Sequence, residues 1–506
     1  MQISDVADQI RQVKRADLME GKGVRQMGPQ EVDIISIVKP ITKYAARVMD
    51  PAGIKFHLQK AIHLAQTGRR GPVWLDIPLD VQGAIIDESS LESFVPPPVV
   101  PAADLNQKIQ QTITLMNKAQ RPVVLAGNGI RSAKVVGDFL KLIDAWQVPV
   151  LTTWKALDLL PENHPLYCGR PGSIAQRGAN FIQQNADLII TIGARLDLCQ
   201  VAFNYKNFAR EAKKIVNDID LSEINKIDTP IDVAVAADAK DFIQGLLSSA
   251  GVQKKDPSWL IQCLGWKNKY PSVLPEHRNS TAGVNTYVLV DELSKILTEK
   301  DVIVPGSSAS CSEVTLQTFK VKAGQRVLNS PGLGSMGFGL PASIGACIAS
   351  GGRRTVCIIG DGGLQHNIQE LELLKRYHLP IKLFVLNNNG YMSIKSSQTN
   401  HFKKLVACDP QSGLTLPDTI KIAAAYGLAT AQIENHAALE QKLAGILGSD
   451  GPTVCEVMVD AATATAPRVT SEVKPDGKIV SKPMEDLWPL LSREEFKANM
   501  IVKTLE

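Results

Sequence analysis

Thr355-Val-Cys-Ile-Ile-Gly-Asp-Gly-Gly363 is the stretch on which the fold of this chain turns. Its first five residues carry no charge and read as a strand buried on both faces, and the glycine-rich end reads as a tight turn. Apolar positions at helical period follow at Ile368, Leu371 and Leu374. After Pro380 comes a second apolar run, Ile381-Lys-Leu-Phe-Val-Leu, which ends in Asn387-Asn388-Asn389-Gly390. Asp361 and Asn388 stand 27 positions apart, and a strand-helix-strand unit with a right-handed crossover takes about 30 residues. Both side chains therefore emerge at the carboxyl ends of parallel strands, where open α/β sheets bind ligands. A carboxylate, an amide oxygen and the carbonyl of Gly390 are hard donors that suit Mg²⁺, which completes its shell with water and phosphate. That implies a diphosphate-bearing ligand, approached by backbone at Gly360, Gly362 and Gly363. Taken singly, Gly-Asp-Gly and Asn-Asn-Asn-Gly are ordinary turns; their spacing on one unit makes them a candidate site.

Outward from this unit the same rhythm repeats. Val302-Ile-Val and Val454-Cys-Glu-Val-Met-Val flank it, and Pro122-Val-Val-Leu-Ala, Val148-Pro-Val-Leu, Leu188-Ile-Ile-Thr-Ile and Lys214-Ile-Val-Asn precede it. Strands alternating with helical stretches predict an α/β fold of parallel sheets covered by helices. At roughly 150 residues per domain, 506 residues suggest about three domains. The boundaries are read as 1–86, a proline-marked linker at 87–104, a nucleotide-binding unit at 105–252, a polar linker at 253–283, a diphosphate-binding unit at 284–465 and an irregular tail at 466–506. The first span supplies only one or two strands, so that domain reads as incomplete.

Lys and Arg number 55 against 51 Asp and Glu, leaving a formal charge of +4. That is too small to draw in nucleic acid or a membrane surface by bulk field. The eight cysteines are scattered without a C-x-x-C pair, no stretch of 18 apolar residues occurs, and Met1 to Arg15 is polar. A cytoplasmic protein with reduced thiols is the reading. The eight histidines show no zinc spacing. No G-x-G-x-x-G follows a strand, which disfavours a nicotinamide-dependent dehydrogenase.

The Gly-Asp-Gly and Asn-Asn residues resemble the cofactor motif of thiamine diphosphate enzymes. Pro331-Gly-Leu-Gly-Ser-Met-Gly-Phe-Gly-Leu-Pro-Ala342 resembles the segment that acetolactate synthases and their relatives place under that cofactor. The resemblance implies that Met336 wedges the two cofactor rings into a bent form, as a bulky, polarizable side chain can; filling a core gap is the alternative. Val304-Pro-Gly-Ser-Ser-Ala-Ser310 is similar to the family's second diphosphate loop, with Gly306, Ser308 and Ser310 as contacts, or else a plain serine-rich turn. Met392 joins the cofactor set, and Asp361, Asn388 and Gly390 make up the metal set. Val24-Arg-Gln-Met-Gly-Pro-Gln-Glu-Val-Asp33, Pro40-Ile-Thr-Lys-Tyr44 and Thr67-Gly-Arg-Arg-Gly-Pro-Val-Trp-Leu-Asp-Ile-Pro78 resemble the end of the family's pyrimidine-binding domain, so 1–86 is its C-terminal part. Gln30 matches a family position near substrate or flavin, and Leu79 replaces a lysine usual at the substrate entrance. His366, Ser393, Lys395 and Gln398 are read either as pocket neighbours or as solvated surface, and Ala466-Pro-Arg-Val-Thr-Ser-Glu-Val-Lys-Pro-Asp-Gly477 either as a lid over the cofactor or as a surface wrap.

The family also binds FAD in its middle domain. Matching positions are Arg69; Gly127, Asn128 and Gly129; Thr153; Gly193, Arg195 and Asp197; Asp218 and Ile219; and Asp238. Asn128 and Cys199 depart from the pattern, and a vestigial empty site is the alternative. The glutamate that activates the cofactor in this family matches no glutamate here, Glu20 and Glu31 lying too late in the pattern. Such a group contributes about 10²–10⁴ in rate. The chain then reads either as a truncated form of a longer enzyme or as one completed by a full-length partner chain. The implied activity is a transferase that decarboxylates a 2-oxo acid, pyruvate, with thiamine diphosphate and Mg²⁺ and passes the acyl carbanion equivalent to a carbonyl acceptor, in a homodimer or homotetramer. A simple 2-oxo acid decarboxylase and an inactive cofactor-binding subunit are the rivals.

Overall fold

The computed structural model describes residues 29–30, 32–98, 102–249, 251, 253–307, 309–473 and 479–505. The chain forms two compact units, 1–103 and 104–506. In the first, strands β1 (Tyr44–Arg47) and β2 (Val73–Asp76) pair in parallel across the helix Ile54–Gln66. Arg47 donates to Asp76 at 2.9 Å, tying the two strand ends.

The second unit holds two parallel six-stranded sheets. One is built from β3 (Pro122–Ala126), β4 (Val150–Thr152), β5 (Tyr167–Gly169), β6 (Leu188–Ile192), β7 (Lys213–Asp218) and β8 (Val233–Ala236), in the order β5-β4-β3-β6-β7-β8. Numbered within the sheet this is 3-2-1-4-5-6, the doubly wound dinucleotide-binding order, with its switch point between β3 and β6. The other comprises β9 (Val302–Pro305), β10 (Arg326–Val327), β11 (Thr355–Gly360), β12 (Ile381–Asn387), β13 (Ala429–Ile433) and β14 (Thr453–Met458), in the order β10-β9-β11-β12-β14-β13. Its switch point lies between β9 and β11. The α/β expectation therefore holds for both sheets. Every residue of β3 and β6 is buried, which is why these strands are unbroken apolar runs rather than alternating ones.

The structure adds strands that the sequence pattern did not reveal. β10 has two residues, and β13 is a largely exposed edge strand, so neither carries an apolar run. Helix formation after Asp361 is also less regular than the period implied: a 3₁₀ stretch, Gln365–Glu370, precedes the helix Leu371–Arg376, which buries Leu371 and Leu374. The tail, read as irregular, holds a hairpin of β15 (Ser471–Val473) with β16 (Ile479–Ser481) and a helix, Arg493–Ala498. Its prolines space apolar residues rather than abolish structure. Met484 and Phe496 join the buried core around Phe181 and Trp266, and Asn180 and Arg177 donate to carbonyls of Met484, Leu487 and Pro489. Residues 482–505 thus cover the helices of the β3–β8 sheet. Among the described residues no helix is long and apolar enough to cross a membrane.

Helix Thr286–Ile296, beside β9, carries a charge cluster. Asp291, its side chain 4% exposed, takes Lys320 at 2.8 Å and Arg278 at 2.5 Å, and Glu292 takes Arg278 and Lys295 at 2.8 Å each. Burial pushes the Asp291 carboxyl up, and Lys320, Lys295 and Arg278 more than offset it, so its pKa lies below the ordinary value. The contribution of such a depressed group is present above the unfolded aspartate pKa and is lost in acid. Asp291→Asn should cost about 1.5–3 kcal/mol at pH 7. The gap from the natural protein should narrow below about pH 4, as read by thermal unfolding at both pH values; an equal gap at both would contradict the assignment.

Candidate functional site

β11 and β12 are neighbours in register, Gly360 beside Leu386, so the residues that follow each strand meet at one sheet edge. Asp361, 4% exposed, begins a short helix there. One carboxylate oxygen accepts from its neighbour Gly362 N at 2.7 Å, and the other accepts from the backbone N–H of Asn388 and of Gly390, each at 3.2 Å. Burial pushes the Asp361 carboxyl up to about 6, against the pull of these backbone donors. The carboxylate thus folds the Asn-Asn-Asn-Gly turn around itself. A cavity of about 300 Å³ opens beside it, bordered by Asp361, Asn387, Asn389, Asp418, Gln432 and Glu456 among others. Asn388 borders a much smaller adjoining hollow together with Gly390, Tyr391 and Met392.

The two glycines of the site are required by close approach. A Cβ on Gly390, where φ is +156°, would stand 2.2 Å from the carbonyl oxygen of Cys408, and one on Gly362 would stand 2.2 Å from the Tyr391 ring. Met336, 38% exposed, reaches the same turn: its methyl lies 3.5 Å from where that Gly362 Cβ would be. The Met336 loop is fixed by Asn367, whose amide donates to Gly337 O at 2.8 Å. Gly306 follows β9 and donates to Ile358 O of β11 at 2.7 Å, so the second loop also lies at this edge. Ser310 stands in the first turn of the helix Ala309–Thr318; Ser308, with Glu20 and Glu31, lies outside the described residues. Gly360 and Gly363 flank Asp361 directly.

The donor set fits a hard cation. Asp361 is a desolvated carboxylate whose hydrogen bonds come from backbone N–H groups, so a positive charge beside it would offset the cost of its burial. Among the described residues no three His, Cys, Asp or Glu side chains are grouped to hold a metal. A cation here would depend on amide, backbone-carbonyl and phosphate oxygens, the habit of Mg²⁺.

At the β3–β8 sheet the turns after successive strands are stitched into one row. Gly127 N donates to Ile192 O at 2.9 Å, Gly129 N to Gly193 O at 3.0 Å, Gly193 N to Asn217 O at 3.0 Å and Thr153 N to Ala126 O at 3.0 Å. Asn128 precedes the helix Gly129–Ser132 in that row. Arg195, with φ +60°, leaves its guanidinium half exposed, 3.5 Å from Glu223. Asp197 accepts from Gln200 N, Asp218 from Asp220 N, and Asp238 caps the helix Ala239–Ser248 through Lys240 N. Ile219, 40% exposed, lies beside Asp218. All these positions gather at the carboxyl end of one sheet. Arg69, Gln30 and Leu79 belong to the 1–103 unit.

His366 is exposed on the 3₁₀ stretch, and so is Ser393 on the helix Met392–Ser397. Lys395 pairs with Asp409 at 2.8 Å and Gln398 clasps Val406, so both brace the segment after the Asn turn. Sequence reasoning missed Glu456, 6% exposed, which accepts from Asn387 at 2.9 Å and Gln432 at 3.0 Å. A lone carboxylate in the apolar run Val454-Cys-Glu-Val-Met-Val was the available signal. Tyr391, which packs on Gly362, was missed as well, and an aromatic after a glycine turn carried none.

Two family models match the chain: "Thiamine pyrophosphate enzyme, C-terminal TPP binding domain" over residues 308–457 and "Thiamine pyrophosphate enzyme, central domain" over 109–246. The chain is 31% identical over 440 residues to the acetolactate synthase isozyme 1 large subunit of Escherichia coli K12, spanning 87% of this chain and 76% of that protein. To the acetolactate synthase large subunit of Lactococcus lactis it is 29% identical over 452 residues, 89% and 77% of the two chains. To the isozyme 2 large subunit of E. coli K12 it is 30% identical over 479 residues, 94% and 80%. With a family model matched in each half of the second unit and identity sustained across more than two thirds of each relative, the chain belongs to the acetolactate synthase large-subunit family of thiamine pyrophosphate enzymes.

Proposed function

We propose that this chain is a thiamine diphosphate- and Mg²⁺-dependent transferase that decarboxylates a 2-oxo acid, pyruvate, and joins the acyl fragment to a carbonyl acceptor. The observation that supports it most is the Asp361 carboxylate holding the Asn388 and Gly390 amides at the tips of adjacent parallel strands. Asp361, the Asn388 amide and the Gly390 carbonyl would hold the metal, with Gly306, Ser308 and Ser310 turned to the diphosphate. When bound, thiamine diphosphate supplies the electron sink for loss of CO₂. The chain's part is to bind, orient and keep the site dry: Tyr391 and Met336 both reach the space beside Gly362, and they would set the room left for the rings. Residues 284–465 form the diphosphate-binding domain in this reading, and 105–252 bind FAD at the β3/β6 switch point. The active form is a homodimer or homotetramer, working in the cytoplasm, a setting that eight free cysteines suit.

Pyruvate with thiamine diphosphate and Mg²⁺, with and without an added aldehyde, decides between ligation and plain decarboxylation: the carboligase releases CO₂ and leaves a hydroxyketone product, whereas free acetaldehyde alone would point to the decarboxylase. Asp361→Asn should weaken Mg²⁺-dependent thiamine diphosphate binding by about 100-fold or more, measured by calorimetry; unchanged affinity would contradict the metal assignment. Met336→Ala should leave cofactor affinity within a few-fold and lower kcat by about 100-fold, since it disturbs orientation rather than attachment. Titration of the purified chain with FAD should quench flavin fluorescence; no quenching would return the β3–β8 sheet to the empty-site reading.

A further inference from the structure

One buried carboxylate bonds to both halves of the second unit. Asp158 lies just beyond the Thr153 turn, its side chain 1% exposed. One oxygen takes the Arg131 guanidinium at 3.0 Å, and Arg131 also donates to the Asp158 backbone carbonyl at 2.9 Å. The other oxygen takes Arg326 Nε at 2.7 Å and the backbone N–H of Val327 at 3.1 Å. Arg131 stands on the short helix Gly129–Ser132, which opens on the Gly127-Asn128-Gly129 turn. Arg326 and Val327 are the whole of β10, the edge strand that leads into the Met336 loop.

The neighbours of Asp158 repeat the connection. Leu157 is buried in the core of the β9–β14 half, among Val327, Val356 and Ile358. Lys155 donates to the carbonyl of Asn329, and the Asn329 amide donates to Trp154 O at 3.0 Å. Asn329 is two residues past β10 and seven before Met336. A two-residue strand makes few ladder bonds of its own, so charge-assisted bonds to one buried carboxylate weigh heavily in where β10 lies.

We propose that Asp158 is a positioning residue that links occupancy of the dinucleotide site at the β3/β6 switch point to the order of the Met336 loop, and so to thiamine diphosphate binding. This rests on the reading given under Proposed function for both sites. A nucleotide that settles the 127–129 and 153 turns fixes Arg131 and Asp158, and these fix β10 and the loop beyond it. The coupling is reciprocal, so each ligand tightens the other by one factor.

The test measures thiamine diphosphate affinity, with Mg²⁺ present, on the full chain stripped of ligands, with and without saturating FAD. In the natural chain FAD should tighten thiamine diphosphate by at least about fivefold. In Asp158→Asn that ratio should fall to within twofold of one, with each cofactor still binding alone. Arg326→Gln removes the side-chain bond of the β10 arm, at a side chain 42% exposed, and leaves the Val327 N–H bond, so it keeps the test sound should the Asp158 variant fail to fold; it should lower the ratio by about half or more and leave FAD affinity in the absence of thiamine diphosphate unchanged. A merely structural role would lower stability and leave the ratio intact, and that result in either variant would overturn the proposal, as would a ratio of one in the natural chain with both ligands bound. Failure of the natural chain to bind thiamine diphosphate or FAD at all would instead sink the reading on which this inference rests.

Discussion

The Asp361 carboxylate sits in a low-dielectric position where its charge is costly, and its oxygens are satisfied by the amides of two consecutive turns. Everything at the β11–β12 edge follows from that arrangement. The Asn turn folds back because its N–H groups need an acceptor, Gly390 takes a conformation that other residues resist, and the Cys408 carbonyl closes over it. A carboxylate so placed, its oxygens held by backbone donors, is a poor device for stability and a good one for binding a cation.

The same economy appears at both sheets. Each is doubly wound, each has a switch point, and at each the chain spends its glycines on the turns that follow the strands there. Asp158 lies between the two sets of turns, bonded to the helix that follows one and to the strand that feeds the other. The tail adds a tie of a different kind, packing Met484 and Phe496 into the core of the β3–β8 half after leaving the β9–β14 half.

Much of this was legible in the sequence, and for identifiable reasons. β3, β6, β11 and β12 are buried on both faces, so they appear as unbroken apolar runs, and turn chemistry marks their ends at Gly127, Gly193, Asp361 and Asn388. Strands without that burial left no such trace: β10 is too short to show a period, and β13 exposes most of its length as an edge. The closing helix was hidden by the prolines around it, because proline signals a break in local structure and says nothing of which apolar residues between breaks find a distant core. At the site, the Asp361–Asn388 pairing was legible because a strand-helix-strand crossover has a fixed span. The Glu456–Asn387–Gln432 contacts and the Arg131–Asp158–Arg326 link were not, since they join residues whose nearness is decided by strand order and by the packing of one sheet against the other.

The most direct test of the metal-centred claim is a crystal structure grown with thiamine diphosphate and Mn²⁺ in place of Mg²⁺, with the metal located by its anomalous signal. The predicted result is a peak within about 2.5 Å of an Asp361 carboxylate oxygen, the Asn388 amide oxygen and the Gly390 carbonyl, with diphosphate oxygens completing the shell. A metal and diphosphate seated elsewhere on the chain, with Asn388 turned away from Asp361, would contradict it.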